Sequence, residues 1–181
     1  MDVYDWFEEA AKEVQQFDIV FCSYGAIHWL SSLDAWARGV ATVLKPGGRL
    51  IMVDYHPVMA MFDEHLNRKF SYFRKEKAVT EEEGVLDYVA ARGKGLTDTD
   101  YVEGIKDFKN PYRAHRFPWG IGEIIMTLLE AGLLLRLLKE YPYTNGYKPF
   151  LQMESSDHSW FLSDDQPNMP LMYAIVASQP L

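Results

Sequence analysis

The sequence predicts an α/β fold with parallel strands, because two apolar segments of strand length flank one amphipathic helix. Phe17 to Ser23 is a nearly continuous apolar run, which is typical of a strand buried on both faces. Arg49 to Tyr55 is a second run of this kind. Between them a helix capped by Ser31 or Ser32 and ended by Pro46-Gly47-Gly48 carries one apolar face, formed by Leu33, Trp36, Ala37, Val40 and Leu44. Strand, helix and strand form a βαβ unit with a right-handed crossover.

Further helical and strand patterns lie on both sides of this unit. Trp6 to Gln16 has the spacing of a short amphipathic helix. Gly120 to Ala131 is helical, and Gly132 is well placed to end it. Leu133 to Tyr143 and Leu171 to Ala177 are expected to be strands. We therefore expect a single domain, with residues 1–57 and 119–181 in the sheet unit and residues 58–118 forming an insertion of short strands and turns.

Composition excludes several classes of function. The chain has 181 residues, of which 48% are hydrophobic, enough for one compact core. A net charge of -8 argues against nucleic-acid binding, which needs a basic surface. The single cysteine, Cys22, excludes a disulfide framework, and the five scattered histidines show no metal-ligand spacing. The first residues show no signal-peptide pattern and no segment has the length of a membrane span, so we expect a cytoplasmic protein.

Two sequence motifs resemble those of a known family. Phe17-Asp18-Ile19-Val20, followed by Leu44-Lys45-Pro46-Gly47-Gly48-Arg49-Leu50, is similar to the fourth and fifth strand motifs of class I S-adenosylmethionine-dependent methyltransferases. The resemblance implies a Rossmann-like sheet that is mostly parallel with an antiparallel last strand. It also implies S-adenosylmethionine as cofactor, S-adenosylhomocysteine as product, and methyl transfer to a small-molecule acceptor.

The resemblance suggests where the cofactor binds. Asp2 and Val3 correspond to the segment in which an acidic residue and the next backbone amide contact adenine. Ser23, Tyr24 and Gly25 follow the fourth-strand motif and correspond to the loop that faces the methionine part, beyond the carboxyl end of a strand. The structural alternatives are a solvated acidic residue near the terminus and an ordinary strand-to-helix turn.

His28 is the candidate general base and a candidate substrate contact, since its unperturbed pKa lies near the working pH. A packed histidine is the alternative, and many members of the family need no base because they act by alignment. Tyr55 and His56, at the end of the second strand, are further candidates for substrate contact. His115, between Arg113 and Arg116, is a candidate to bind an anion of the substrate, and the alternative is a solvated basic cluster.

Aromatic residues of the insertion and its end are candidates to wall a substrate pocket, although they could equally form a local core. They are Tyr72, Phe73, Tyr88, Tyr101, Phe108, Tyr112, Phe117 and Trp119.

The family's glycine-rich turn after its first strand has no counterpart in this sequence. Gly93-Lys94-Gly95 and Gly120-Ile121-Gly122 both lack the required strand-turn-helix context. The family sheet places its first strand beside the fourth, so Phe17 to Ser23 is expected to be a bare apolar edge. We therefore expect a fragment of a longer methyltransferase with weak or no activity alone. The alternative is a noncatalytic subunit that completes its sheet with another chain, either a partner or a second copy.

Overall fold

The structure is a computed structural model, and it describes residues 1–73, 78–82, 85, 107–166 and 168–181. Its helices and strands, in chain order, are α1 Val3–Lys12, β1 Phe17–Ser23, α2 Leu33–Val43, β2 Leu44–Tyr55, β3 Val79–Glu81, β4 Ala114–Arg116, α3 Ile121–Glu130, β5 Leu134–Tyr141, β6 Tyr143–Asn145, β7 Met153–Ser156, β8 Ser159–Leu162 and β9 Met172–Ser178. Short 3₁₀ helices span Ala26–Trp29 and Pro57–Met61.

The main sheet has the strand order β1-β2-β9-β5. β1 runs parallel to β2, whereas β9 is antiparallel to both β2 and β5. This arrangement confirms the predicted α/β fold, including the reversed last strand. α2 connects β1 to β2, so the predicted βαβ unit is also present.

The α-helices of the described residues contribute to one core, on one face of the sheet. Side chains alternate along β2, and those of Leu50 and Met52 point into this core, where they are fully buried. Phe7 of α1, Val40 of α2 and Leu128 of α3 belong to the same cluster. Burial of these apolar side chains is the main force that holds the helices against the sheet.

The opposite face of the sheet, which we call the open face, is apolar and not covered by any helix of the described ranges. Phe21, Ile51, Val176 and Leu137 pair in register across all four strands and therefore share this face. Phe21 is 63% exposed and Leu137 40% exposed. The prediction that Phe17 to Ser23 is buried on both faces is therefore wrong. β1 is an edge strand, and Cys22 is the only residue of it that is fully buried.

Local interactions shift several element boundaries from those expected. α1 begins at Val3 rather than Trp6, because the Asp2 carboxylate caps the helix by accepting a hydrogen bond from the Tyr4 backbone N–H (2.8 Å). β2 begins at Leu44, directly after α2, so that Pro46-Gly47-Gly48 lies within the strand. The register with β1 shifts between Phe17 and Ile19 to accommodate this segment.

Two small sheets lie outside the main one. β3 pairs with β4 inside the predicted insertion, whereas Tyr88 and Tyr101, two of the candidate pocket aromatics, lie outside the described residues. β6, β8 and β7 form a three-stranded sheet that the sequence analysis did not predict. Its hairpin turns through Asp157 and His158, which both have positive φ (46° and 65°), as a two-residue turn of this kind requires.

The contact between α1 and α2 depends on Gly39. A Cβ atom at this position would lie 2.3 Å from Cδ2 of Phe7, so we expect Gly39→Ala to lower the free energy of unfolding by about 1–3 kcal/mol. Gly122→Ala in α3 is the matched control, because nothing lies within 4 Å of its added Cβ. It should raise the free energy of unfolding by about 0.5–1 kcal/mol. Urea unfolding of both variants measures the difference, and equal effects would contradict this packing.

Candidate cofactor and substrate site

A tight turn follows the carboxyl end of β1. Tyr24 and Gly25 both adopt left-handed backbone conformations, with φ of 49° and 92°. The Tyr24 N–H donates to the Val53 carbonyl oxygen (3.0 Å), and the Gly25 N–H donates to Oδ1 of Asp54 (2.7 Å). A Cβ on Gly25 would meet nothing within 4 Å, so glycine is needed here for its backbone conformation and not for space.

A cavity of about 740 Å³ lies along β1 and is lined by residues between Val3 and Trp36. Val3 of α1 and Ser23 at the end of β1 both line it, together with Trp6, Ala26 and Trp29. Two of the five residues predicted to contact the cofactor therefore share one cavity. Asp2 caps α1 through Oδ1, and within the described residues no hydrogen bond engages its other carboxylate oxygen.

Three tyrosines form a row at the same edge of the main sheet. The ring centroids of Tyr24 and Tyr55 lie 6.1 Å apart, and those of Tyr55 and Tyr147 lie 5.5 Å apart. Tyr24 and Tyr147 are exposed, and Tyr55 between them is half-buried. We call these residues the tyrosine row. Tyr55 was a candidate substrate contact in the sequence, but Tyr147 was not, since nothing in its local pattern places it beside β2.

His28 lies in the 3₁₀ helix that follows the turn. Burial, reinforced by the positive charge of Arg116, lowers the pKa of its imidazole to about 4. Its backbone carbonyl accepts a hydrogen bond from the Phe117 N–H (2.7 Å). His28 is therefore neutral near pH 7, as a proton acceptor must be, but its low pKa makes it a weak base.

His56 is buried, with 7% of its surface exposed. Its Nδ1 accepts a hydrogen bond from the Val58 N–H (3.2 Å), so Nε2 carries the proton that faces Oε1 of Glu140 at 2.9 Å. Burial lowers the pKa of this imidazole, although Glu140 opposes the shift. Both ring nitrogens are thus engaged within the protein, which favours a structural role over the predicted contact with substrate.

His115 lies near the end of the insertion, and Trp119 directly follows it. Nδ1 of His115 is 3.2 Å from the Thr80 hydroxyl oxygen across the β3–β4 pair. The flanking Arg113 and Arg116 form ion pairs with Glu82 and Glu81. These pairs neutralise the basic cluster that was a candidate to bind an anion.

Trp119 anchors the chain at the start of α3. Its indole N–H donates to the Leu30 carbonyl oxygen (2.8 Å), and its ring stacks on Phe117 with centroids 6.2 Å apart. The end of the insertion is therefore held against the segment that carries His28.

Asp54, which precedes Tyr55 at the end of β2, is buried and contacts the turn directly. Its side chain is 0% exposed, and Oδ1 accepts from both the Gly25 and the Tyr55 N–H groups, each at 2.7 Å. Burial raises its pKa from 3.8 to about 6, although these hydrogen bonds act in the opposite direction. Oδ2 has no hydrogen-bond partner among the described residues, and neither has the Tyr173 hydroxyl.

Cys22 lies in the same buried region. Burial and the nearby Asp54 carboxylate raise the pKa of its thiol to about 12, so it stays protonated and behaves as a small apolar residue. In the described ranges no group of three or more His, Cys, Asp or Glu side chains is arranged to hold a metal ion. No helix in the described part of the chain has the length and apolar character that a membrane crossing needs.

Three comparisons with known proteins all find methyltransferases. Residues 7–52 match the family model described as a methyltransferase domain. An uncharacterised methyltransferase of Bacillus subtilis, YcgJ, is 45% identical over 56 residues, which are 29% of this chain and 22% of that protein. The structure of a candidate S-adenosylmethionine-dependent methyltransferase of Listeria monocytogenes aligns with 97% of this chain at a TM-score of 0.56 and 19% identity.

Residues 7–52 are therefore similar to a methyltransferase domain, and the chain shares the fold of an S-adenosylmethionine-dependent methyltransferase structure. The chain spans 67% of the length of the Listeria protein, and its match to the Bacillus protein spans 22% of that relative.

The pKa of Asp54 gives a stability that depends on pH. Because the folded state holds this proton up to about pH 6 and the unfolded state releases it near 3.8, the stability contributed by Asp54 falls as the pH rises through this interval. The loss is about 3 kcal/mol for a shift of about two pH units. Asp54→Asn cannot titrate. Its free energy of unfolding, relative to that of wild type, should therefore rise by about this amount as the pH is raised through this interval.

Urea unfolding of both proteins at four pH values between 4 and 7 tests this expectation. Asp18→Asn is the control, since Asp18 is exposed and its Lys45 partner lowers its pKa below 3.8, so Asp18 stays charged in this range and its removal should shift the free energy of unfolding by a nearly constant amount. If the free energies of unfolding of wild type and Asp54→Asn changed in parallel with pH, Asp54 would have an ordinary pKa.

A second pH measurement concerns His28. The imidazole resonances of His28 in NMR spectra should stay those of the neutral ring from pH 8 down to pH 5.5, with a midpoint near 4, because burial and Arg116 disfavour the charged form. A midpoint at or above 6 would contradict the burial seen here and would make His28 a stronger candidate base.

Proposed function

We propose that the protein transfers a methyl group from S-adenosylmethionine to a small-molecule acceptor. The observation that carries this proposal is the left-handed turn Tyr24-Gly25 at the carboxyl end of β1, within the segment that matches the methyltransferase family model. Ligands in open α/β sheets bind beyond the carboxyl ends of the strands. The cavity lined by Val3 and Ser23 extends along β1 as far as this end.

In this proposal the cofactor is held by the residues around that turn. Asp2 accepts from the adenine amino group through the carboxylate oxygen that does not cap α1, and Val3 offers its backbone. Ser23, Tyr24 and Gly25 contact the methionine part. The residues fit the group because Asp2, Val3 and Tyr24 are exposed and Ser23 lines the cavity. The Asp2 carboxylate and the Ser23 hydroxyl supply the hydrogen-bonding atoms that the cofactor needs. When bound, the cofactor supplies a methyl group activated by its positively charged sulfur.

The acceptor is proposed to lie against Tyr55 and its neighbours in the tyrosine row, near His28 and Trp119. Aromatic walls with few polar groups are typical of small-molecule sites. His28 is neutral and can accept a proton from an acceptor that must lose one, while alignment of acceptor and methyl group supplies the larger effect. His56 and His115 are weaker candidates for substrate contact, since Glu140 and Thr80 already engage them.

These 181 residues are proposed to act weakly or not at all by themselves, since the sequence contains no glycine-rich turn in a strand-turn-helix context. A cytoplasmic location is also proposed, because the single cysteine is buried and free. Isothermal titration of the 181-residue chain with S-adenosylhomocysteine should give no measurable heat of binding. Micromolar affinity would contradict the proposed dependence on further elements.

The proposed function is tested by cofactor-product binding. The gene product that contains these residues is titrated with S-adenosylhomocysteine in the calorimeter. We expect binding, and we expect Gly25→Ala to weaken it at least tenfold, because alanine is strained at a φ of 92°. Gly122→Ala is the control and should bind as the wild type does. Repeated absence of binding to folded wild-type protein would exclude the proposed function.

A second candidate function is a noncatalytic subunit that completes its sheet with another chain. The specific observation in its favour is that β1 pairs with β2 on one side only within the described residues, next to an apolar open face. An unpaired apolar edge is a template for strand addition. The other chain is either a partner or a second copy of this one.

Sedimentation distinguishes this candidate. A subunit of this kind is expected to associate with the other chain. Phe21→Lys should weaken this association at least tenfold, because the 63% exposed ring lies on the edge strand. Met126→Lys is the matched control, since Met126 is also exposed but lies on α3, away from β1. A folded wild-type chain that sediments as a monomer, alone and in a lysate of its source, would exclude the subunit function.

A further inference from the structure

We propose that Asp54 is a positioning residue, whose buried carboxylate joins the end of β1 to the end of β2 and thereby fixes the Tyr24-Gly25 turn. Its relevance to methyl transfer rests on the proposed function, whereas the positioning itself does not.

The carboxylate connects two strands through one oxygen atom. Oδ1 accepts from the Gly25 N–H, in the turn after β1, and from the Tyr55 N–H, in the last residue of β2, both at 2.7 Å. The side chain is fully buried, so water does not replace it as an acceptor. Loss of the carboxylate would leave two backbone donors without a partner, which is costly in a buried environment.

The turn needs such an external constraint. Tyr24 has a φ of 49°, a conformation that residues with a side chain rarely adopt, and Gly25 follows with 92°. Strained backbone of this kind persists only where surrounding interactions determine it. The described contacts that do so are the hydrogen bonds from Tyr24 to Val53 and from Gly25 to Asp54.

The same contacts set the spacing of two aromatic rings. Asp54 binds the backbone of Tyr55 directly and that of Tyr24 through its neighbour Gly25. The ring centroids of these two tyrosines lie 6.1 Å apart in the tyrosine row. The position of the row therefore depends on a side chain that lies on the opposite, helix-covered face of the sheet.

A direct chemical role for Asp54 does not fit its position. Asp54 alternates with Leu50 and Met52 along β2 and points into the core with them. The titratable groups that face it are Cys22 of β1 and Tyr173 of β9, and burial keeps both protonated at neutral pH. The carboxylate therefore acts on the site through the backbone.

Hydrogen exchange measured by NMR tests this inference in the 181-residue chain, without any ligand. In Asp54→Ala the amides of Gly25 and Tyr55 should exchange at least tenfold faster than in wild type, while that of Met52 in the middle of β2 is unchanged. In Asp54→Asn, which keeps an acceptor oxygen, both amides should remain protected. Unchanged exchange at Gly25 and Tyr55 in Asp54→Ala would overturn the proposal.

A second readout covers the case in which Asp54→Ala unfolds. The amide proton shifts of Gly25 and Tyr55 should titrate together in wild type, with a midpoint near pH 6, and should not titrate in Asp54→Asn. Shifts of Gly25 and Tyr55 that titrate in Asp54→Asn as they do in wild type would overturn the proposal.

The link to function is measured separately, in the gene product that contains these residues. Asp54→Ala should weaken S-adenosylhomocysteine binding at least tenfold, and Asp54→Asn less than threefold. If wild-type protein does not bind this ligand, the proposed function fails, whereas the exchange and titration results still decide the positioning role.

Discussion

The pairing of β2 with strands on both sides is the interaction on which the rest of the structure depends. β2 is parallel to β1 and antiparallel to β9, and its inward side chains, such as Leu50 and Met52, are fully buried. Since β1 and β2 run in the same direction, their carboxyl ends meet at one edge of the sheet. The turn after β1, the Asp54 carboxylate and the tyrosine row all lie at this edge, so the candidate site is a consequence of strand direction.

Side-chain alternation along the strands divides the sheet into two surfaces with different roles. Residues in phase with Leu50 build the core with the helices, and residues in phase with Ile51 form the open face. Asp54 and Tyr55, adjacent in sequence, fall on opposite sides of this division. One supports the backbone from within the core, and the other presents an aromatic ring outside it.

The order of the central elements could be predicted from the sequence, because hydrophobic periodicity and turn residues determine them locally. Asp54 alternates in step with Leu50 and Met52, so its burial in the core could also have been predicted. A buried carboxylate needs hydrogen-bond partners, which could have been expected as well. The exposure of β1 depends on which strand lies beside it, and its apolar run is equally typical of a covered strand. The β6-β8-β7 sheet depends on Asp157 and His158 adopting positive φ, which their residue types permit but do not dictate.

The open face also links the stability of this chain to its surroundings. Any molecule that covers Phe21, Ile51 and Leu137 in the folded chain, and does not bind the unfolded chain, adds its binding free energy to folding by mass action. This contribution grows with the logarithm of the concentration of that molecule above its dissociation constant. The melting temperature of the chain is then a property of the mixture in which it is measured, and two preparations of identical sequence differ in it whenever they differ in what covers this surface.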